Sequence, residues 1–545
     1  MRTTRALIQL AAVTTAVVAA LGPGAFRGFG APHAQDANER VNKRADEHES
    51  PPLLLNDLTK QFLVDSSALP EFTFDFGESY AGLLPISSNT SDINRLWFWF
   101  VPSTNPAATD EILVFFDGGP GCSSCIGMFY ENGPFLWQDG TLAPVQNPWA
   151  WTNLTNVMWI DQPVQTGYST GIPTISTHEE LADQFLGFWK NFVDTFGFHG
   201  ADVYLAGQSY AGRYLSYIGC AMLDRKDTTY YNLQGTMFIN ALIADHTVQQ
   251  HIGIVPYVDY WNIFLGLNDT FMDTIRYASR ACGSDDYQNT HLVFPGNKTA
   301  SRDLPSVGTY EYHGVERACG GLTHDIITAL TALNPCFDIT HISNYCPFLY
   351  SPIGVPTFIE SLVDESEGLG RRAAAYSGPY LNRDDVKAAL HAPPHKVWVE
   401  CDQTGVSLYG NTITGRQPVR EKLPRLIERS RRTIIVHGSL DMKVTVNGTL
   451  MALQGMHWGG ARGFSSPPNE TFYVPAFSER SVGSVAPRGI SGRMITERGL
   501  TFVEVYGAGH EVPRYSPSGS YRHLEFLLGR VDSMSDDDPF TTDPN

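Results

Sequence analysis

Positive charge is scarce in this chain of 545 residues. It has 38 lysine and arginine residues against 57 aspartate and glutamate residues, a formal net charge of −19 at pH 7. The one run with several basic residues, 425–432, is interpreted as a helix face that leads into a strand. Because nucleic-acid binding depends on lysine and arginine contacts to phosphates, this composition argues against a nucleic-acid partner.

Long hydrophobic runs and cofactor motifs are also missing. After the N-terminal segment no stretch approaches about 18 apolar residues, the length expected of a membrane-spanning helix. The sequence has no metal-ligand spacing, no phosphate loop and no dinucleotide-binding glycine pattern. We therefore expect no membrane span, no metal and no cofactor. The content of 42% hydrophobic residues is typical of a protein that buries a large core.

The two ends of the chain differ in composition from the rest. Residues 1–20 are interpreted as a secretory signal peptide, because basic residues precede an apolar run that ends in small residues. Residues 21–60 are polar and charge-rich, and Lys43-Arg44 resembles a processing site, so this segment is interpreted as a propeptide or linker. The acidic tail, residues 531–545, is predicted to be disordered. We expect a secreted, extracellular protein, with a vacuolar location as the alternative.

A candidate nucleophile lies in the stretch Tyr204–Gly212. The stretch is typical of a buried strand, a corner at Ser209 and the start of a helix. Gly207, Ala211 and Gly212 are small, as required where the backbones of a strand and a helix approach each other. Taken alone, the stretch also fits an ordinary glycine-flanked turn.

Two further strands each end beside a candidate catalytic residue. Thr433–His437 precedes Asp441, and Leu500–Val505 precedes the glycine-rich loop that carries His510. Taken singly, these residues fit a turn aspartate and a surface histidine. Together with Ser209 they follow the chain order of nucleophile, acid and base that α/β-hydrolases use, each at a strand end.

A glycine-rich segment, Asp117–Ser124, follows a predicted strand at 111–116. Its backbone N–H groups can form an oxyanion hole with the N–H of the residue after the nucleophile. We expect Gly119 and Tyr210 to be the donors. A structural glycine turn is the alternative.

Several sequence blocks occur in one order between about Phe72 and Gly529. They are Gly118–Ser124, Glu131–Phe135, Asn147–Trp149, Gln162–Val164, Gly167–Ser169, Gly207–Gly212 and Gly509–Pro513. In this order they resemble the serine carboxypeptidase family, in its branch of secreted fungal enzymes. The resemblance implies an α/β-hydrolase fold, with a mostly parallel sheet flanked by helices and a helical cap insertion. It also implies release of single residues from peptide C-termini at acidic pH.

The resemblance further implies roles for individual residues. It makes Ser209 the nucleophile, His510 the base and Asp441 the acid that orients the base. In the family an asparagine and two glutamates bind the substrate carboxylate, and the matching positions here are Asp117, Gln208 and Glu131. Two acids and one amide are thus retained at exchanged positions. Since ionised acids would repel a carboxylate, we expect binding to weaken as the pH rises.

Glu511 follows the histidine at a position where many family members have methionine. The resemblance implies that this position lines the leaving-residue pocket, where a carboxylate would favour a lysine or arginine leaving group. A rim glutamate paired with another residue is the alternative.

The chain between these motifs predicts the architecture. Glu71–Phe76 and Leu96–Phe100 indicate an N-terminal hairpin. Helical spacing and a capping box predict a helix over 177–196 between two strands, the rhythm of a parallel sheet. Residues of about 245–390 lose this rhythm and are interpreted as the cap insertion within a hydrolase domain that spans 61–530.

Eight cysteines and six N-glycosylation sequons agree with a secreted glycoprotein. The sequence alone leaves the cysteine pairing open. The family resemblance implies Cys122 with Cys401, and inside the cap we expect Cys282 with Cys319 and Cys336 with Cys346. The sequons lie at Asn89, Asn153, Asn268, Asn297, Asn447 and Asn469.

These observations predict a secreted serine carboxypeptidase that acts on the C-termini of peptides or proteins through an acyl-enzyme on Ser209. An acyltransferase or esterase of the same fold is the alternative. Such an enzyme would keep the three catalytic candidates but lose recognition of the substrate carboxylate. Asp117 and Gln208 are compatible with this alternative. A non-catalytic binding protein is disfavoured by the complete set of three.

Overall fold

The computed structural model describes residues 53–297, 304–305, 308–346, 351–354, 379–402, 415–477 and 486–542. The predicted signal peptide, the Lys43-Arg44 site and most of the predicted propeptide lie outside these residues. The assignment of the last part of that segment, 54–60, to a linker is wrong. Thr59 is fully buried and its hydroxyl donates to the Leu54 carbonyl at 2.7 Å, because Leu54 and Phe62 pack against the hydrophobic core.

A ten-stranded sheet organises the fold. In chain order its strands are β1 (Tyr80–Pro85), β2 (Arg95–Val101), β3 (Glu111–Phe116), β4 (Asn156–Asp161), β5 (Asp202–Gln208), β6 (Leu233–Ile239), β7 (Arg432–Gly438), β8 (Glu470–Val474), β9 (Gly489–Glu497) and β10 (Leu500–Val505). The spatial order is β1-β2-β4-β3-β5-β6-β7-β10-β9-β8. The six central strands, β4, β3, β5, β6, β7 and β10, run parallel to one another. The two strands at each edge, β1 and β2 on one side and β9 and β8 on the other, pair antiparallel with their neighbours.

The central strands are buried on both faces. All residues of β3 are buried, as expected of a parallel strand covered by helices on either side. Because successive side chains of a strand point to opposite faces, Ile112, Val114 and Phe116 join one hydrophobic cluster, whereas Leu113 and Phe115 join another. The sheet therefore separates two cores.

Twelve α-helices surround the sheet within the described residues. They are α1 (Cys125–Tyr130), α2 (His178–Phe196), α3 (Ala211–Arg225), α4 (Ile254–Leu265), α5 (Asp269–Ala281), α6 (Ser284–His291), α7 (Leu322–Leu333), α8 (Asp384–Ala389), α9 (Lys422–Arg429), α10 (Val446–Gly455), α11 (Val512–Tyr515) and α12 (Pro517–Leu527). The predicted capping box is present at the start of α2, where Thr177 and Glu180 bond to each other's backbone amides. None of the described helices is both long enough and apolar enough to cross a membrane.

The first strand of the N-terminal hairpin lies nine residues later than predicted, whereas the second, β2, contains the predicted Leu96–Phe100. The first strand is β1, and Glu71–Phe76 is not a strand. Phe72 and Phe76 pack with Phe135 instead, at ring-centroid distances of 4.8 and 5.3 Å. The alternating aromatic residues therefore fill a cluster beside the sheet rather than form a ladder.

The helices α4 to α7 form a separate layer that follows β6. A hairpin of Thr309–Tyr312 and Val315–Ala318 lies among them. Their cluster of buried apolar side chains extends to Met442, in the loop after β7. The insertion thus packs on a loop that carries a candidate catalytic residue.

Three disulfide bonds join the cysteine pairs named above. They link Cys122 with Cys401, Cys282 with Cys319, and Cys336 with Cys346. Cys125 and Cys220 are unpaired and buried.

The prediction of a disordered acidic tail is wrong for residues 531–542. Met534 is fully buried and its carbonyl accepts a hydrogen bond from the Tyr473 amide at 2.9 Å. The Phe540 ring packs on Trp149 and Tyr521, with centroids 5.2 and 5.6 Å away. Two apolar side chains therefore anchor a segment whose average composition is polar.

Candidate active site

Ser209 lies at a sharp corner between β5 and α3. Its backbone is in the left-handed region, with φ of 58°, and its amide donates to the Ile239 carbonyl at 3.0 Å. A Cβ on Gly207 would come within 2.8 Å of Ala211 Cβ, and one on Gly212 within 2.8 Å of Ala241 Cβ. The corner thus needs the small residues that the sequence places around the serine.

Asp441 and His510 form a buried pair at the ends of β7 and β10. His510 Nδ1 lies 2.6 Å from Asp441 Oδ2. The Asp441 side chain is fully buried, and its Oδ1 accepts from the amides of Lys443 and Val444 at 2.8 and 3.0 Å. These bonds hold the carboxylate in one orientation and compensate for its removal from water.

Asn240 completes the surroundings of Asp441 and was missed by the sequence analysis. Its Nδ2 donates to Asp441 Oδ2 at 2.5 Å and to the Gly509 carbonyl at 3.1 Å, while its Oδ1 accepts from the Gly438 amide at 2.8 Å. Asn240 directly follows β6, and polar residues at the carboxyl ends of parallel strands meet at one edge. The position of Asn240 at a strand end is therefore the sequence feature from which its place in the site could have been predicted.

The second ring nitrogen of His510 makes no hydrogen bond within the described residues. Nε2 is buried and has no hydrogen-bond partner among the residues that the structure describes, and Ser209 Oγ makes no bond to it. In a neutral imidazole whose Nδ1–H donates to Asp441, Nε2 is the unprotonated nitrogen and can accept a proton. Catalytic hydrogen bonds are often open in the absence of substrate.

The glycine-rich segment after β3 packs directly on the corner. A Cβ on Gly118 would lie 2.7 Å from both Ser209 Cβ and the Tyr210 amide nitrogen. The amides of Gly119 and Tyr210 donate no hydrogen bond within the described residues. Asp161 fixes the segment by accepting from Ser123 Oγ at 2.7 Å. The arrangement leaves two N–H groups beside Ser209 for an oxygen of a bound molecule.

The three candidate carboxylate-binding residues are in contact. Gln208 Nε2 donates to Asp117 Oδ1 at 2.5 Å and to Glu131 Oε1 at 2.9 Å. All three side chains are buried, and Glu131 Oε2 has no partner within the described residues. Since Gln208 directly precedes Ser209, this cluster adjoins the corner.

Both acids of this cluster favour the protonated form. Burial is the main cause, and it raises the pKa of Asp117 and that of Glu131 above their ordinary values. The charge of Asp117 raises the pKa of Glu131 further, and Glu511 raises the pKa of both, while the hydrogen bonds from Gln208 act in the opposite direction. A neutral carboxyl can donate a hydrogen bond to a carboxylate, whereas an ionised one repels it.

Glu511 is buried and paired. Its Oε2 accepts from Arg514 Nη1 at 2.8 Å, and Arg514 Nη2 donates to Asp139 at 2.7 Å. The Arg514 guanidinium also lies 4.6 Å from the centre of the Tyr130 ring. The positive charge of Arg514 therefore offsets part of the negative charge that Glu511 was predicted to bring to the leaving-residue pocket.

Comparison with known proteins identifies the family. The family model described as serine carboxypeptidase matches residues 70–529. The chain belongs to the serine carboxypeptidase family. It is 42% identical over 491 residues to a probable serine carboxypeptidase of Arthroderma benhamiae, with 88% of each chain covered. It is 36% identical to serine-type carboxypeptidase F of Aspergillus niger, covering 88% of this chain and 89% of that protein.

The fold also has a known counterpart. The crystal structure of a prohormone-processing carboxypeptidase from Saccharomyces cerevisiae, KEX1(delta)p, matches with a TM-score of 0.66 at 19% identity, covering 87% of this chain and 96% of that chain. The predicted α/β-hydrolase fold is thereby confirmed. So is the predicted enzyme class: this serine carboxypeptidase is a hydrolase whose family implies peptide substrates.

Proposed function

We propose that the enzyme releases single residues from peptide C-termini at acidic pH through an acyl-enzyme on Ser209. The observation that carries this proposal is the buried bridge from Gln208 to Asp117 and Glu131, beside the serine. A group that binds a terminal carboxylate next to the nucleophile selects the last peptide bond. This is what separates an exopeptidase from an endopeptidase.

In the proposed reaction Ser209 Oγ attacks the carbonyl carbon of the last peptide bond, and His510 Nε2 takes its proton. Asp441 orients the imidazole and stabilises its charged form. The amides of Gly119 and Tyr210 donate to the carbonyl oxygen as it becomes negative. The imidazolium then gives its proton to the leaving amine, and water hydrolyses the acyl-enzyme. The free Nε2 and the two unbonded amides support these roles.

Carboxylate recognition sets the proposed acid dependence. At acidic pH neutral Asp117 and Glu131 donate hydrogen bonds to the substrate carboxylate, because burial raises the pKa of both. As the pH rises through these raised values, about 8 for Asp117, both groups ionise and repel the substrate. A hydrogen bond to a charged group contributes about 1.5–3 kcal/mol. Loss of two therefore weakens binding by roughly two to four powers of ten.

A preference for basic leaving residues is the finer part of the proposal. It rests on Glu511, which Arg514 partly neutralises through the 2.8 Å ion pair. Asp139 shares the same arginine at 2.7 Å. Two carboxylates against one guanidinium favour a cation in this region, and the preference for lysine or arginine is expected to be modest.

We also propose that the enzyme enters the secretory pathway and acts outside the cell, with a vacuole as the alternative. All six sequon asparagines are at least partly exposed, as glycosylation requires. The three disulfide bonds agree with an oxidising compartment.

The test compares substrates that differ only at the C-terminus. Blocked dipeptides ending in lysine or leucine, and their C-terminal amides, are hydrolysed between pH 4 and pH 8. We expect the free acids to be preferred, with a preference that fades as the pH rises, and S209A and H510A to be inactive. Equal rates on acids and amides, with ester hydrolysis that still needs Ser209, would contradict the proposal and favour the acyltransferase or esterase alternative.

A further inference from the structure

A segment of the insertion, Ile339–Ile342, lies across both loops that carry the candidate acid and base. Four backbone hydrogen bonds join it to these loops. Met442 N and Lys443 N donate to the Ile339 carbonyl at 3.0 and 3.1 Å, Ile342 N donates to the Leu440 carbonyl at 3.2 Å, and His510 N donates to the Thr340 carbonyl at 2.7 Å. The insertion is thus bonded to the residues on either side of Asp441 and to His510 itself.

The shape of this segment is set within the insertion. Asp338 Oδ1 accepts from the amide and the hydroxyl of Thr340 at 2.8 and 2.6 Å, and its Oδ2 accepts from Asn344 Nδ2 at 2.8 Å. The disulfide bond between Cys336 and Cys346 closes the loop around it. The segment therefore meets the catalytic loops as a braced turn.

His341 is the side chain that this turn inserts beside the base. Its ring stacks on Tyr515, with centroids 3.8 Å apart and an angle of 22° between the planes. A Cβ on Gly509 would come within 2.6 Å of His341 Cδ2, an edge atom of the same ring. Gly509 immediately precedes His510, and Tyr515 ends the helix that follows it. One buried ring thus contacts the chain both before and after His510.

We propose that His341 is a positioning residue, whose ring holds the loop 507–510 and α11 so that the His510 imidazole stays in line with Ser209 and Asp441. The inference rests on the proposed role of His510 as the base. An error of about 1 Å in the position of a catalytic group can cost roughly a hundredfold in rate. Because the His341 ring contacts the chain before and after His510, loss of the ring is expected to lower kcat.

Ring packing carries more of this effect than the polar contacts of His341. Ser343 Oγ donates to Nδ1 at 2.9 Å, and Nε2–H donates to the Gly507 carbonyl at 3.3 Å. Gly507 is exposed and Ser343 is partly exposed, so water can replace either bond. Nothing replaces the contacts of the ring with Gly509 and Tyr515, because its removal leaves a buried cavity.

The test separates the ring from its hydrogen bonds. His341→Phe keeps the ring, His341→Gln keeps the polar atoms, and His341→Ala keeps neither. His291→Ala is the matched control, since the His291 ring stacks on Tyr287 at the same 3.8 Å and bonds to the Tyr287 carbonyl at 2.8 Å in α6. Active sites are counted with a fluorophosphonate probe, and kcat and KM are measured per titrated site on a blocked dipeptide and an ester.

We expect kcat to fall about tenfold or more in H341A and H341Q on both substrates, with KM within about twofold of the wild type. H341F and H291A are expected to stay within about threefold. A rise in KM alone, an unchanged kcat in H341A, or an equal loss in H341F and H341Q would overturn the inference. If H341A fails to fold, the comparison of H341F with H341Q decides. H510A separates the two proposals. If H510A is active, the role of His510 as the base is refuted. If H510A is inactive but H341A and H341Q are unaffected, only the positioning role of His341 is refuted.

Discussion

Replacing Glu131 by glutamine should extend peptidase activity towards neutral pH. In the structure Glu131 Oε1 accepts from Gln208 Nε2 at 2.9 Å, and Oε2 is buried without a partner in the described part of the chain. A protonated Glu131 offers one acceptor to Gln208 and one O–H donor to the substrate. Glutamine offers the same acceptor and an N–H donor, and it keeps both at every pH.

The size of the expected effect follows from the one hydrogen bond to the substrate carboxylate that E131Q keeps as the pH rises. In the wild type, ionisation of Glu131 removes a donor to a charged group, worth about 1.5–3 kcal/mol, and adds repulsion. The raised pKa of Glu131 places this loss above the ordinary range of a glutamate. We expect the ratio of kcat/KM at pH 8 to kcat/KM at pH 5 to rise in E131Q by about tenfold or more. Asp117 still ionises, so the recovery stays partial.

The assay measures a blocked dipeptide and its ester between pH 4 and pH 8. The ester lacks the carboxylate and reports the catalytic groups alone, so its profile should not change. Glu111→Gln is the matched control variant: burial raises the pKa of Glu111 to about 7, yet it lies at the opposite end of β3 from Asp117. An E131Q enzyme that loses activity equally at pH 5 and pH 8, or an E111Q enzyme with the same shift, would refute the reasoning.

Three further predictions concern separate parts of the molecule. Asn240→Ala removes a hydrogen bond to Asp441 and should lower kcat on peptide and ester alike by about tenfold or more with KM unchanged, and a change in KM alone would contradict this. Glu511→Met should shift the ratio of lysine to leucine release towards leucine by about fivefold, equivalent to roughly 1 kcal/mol, and an unchanged ratio would remove Glu511 from specificity. Phe540→Ala should remove packing on Trp149 worth about 1–3 kcal/mol and so lower the melting temperature, with kcat unchanged. Thermal unfolding measures the first quantity and the ester assay the second.

Local sequence pattern was sufficient for the strands that carry the site, β3, β5, β7 and β10, and for the corner at Ser209. The runs that became β5, β7 and β10 are apolar and end in glycine-containing loops, so their carboxyl ends could be assigned without knowing the partners of each strand. Parallel strands bring such ends to one edge. This is why Ser209 could be grouped from the sequence with Asp441 and His510, although the latter two are 69 residues apart and Ser209 lies much further away along the chain.

Tertiary structure alone decided the contacts that refine the site. Asn240 bonds Asp441 across 201 residues, and Gln208 bridges Asp117 and Glu131 across 91 and 77 residues. No local periodicity records such pairs, because each residue's own neighbours would fit an ordinary loop or strand end equally well.

The errors and omissions have the same physical cause. Phe540 lies among acidic residues, and its average surroundings predict disorder, yet a single ring in the right place anchors the tail on Trp149. The pairing of Glu511 with Arg514 and the position of His341 against Gly509 likewise depend on where the chain returns in space. By itself the sequence determined the strands that carry the site, the corner and the residue types of the site. Packing between distant segments decided their orientation, protonation and support, because these depend on burial and on neighbours that only the folded chain brings together.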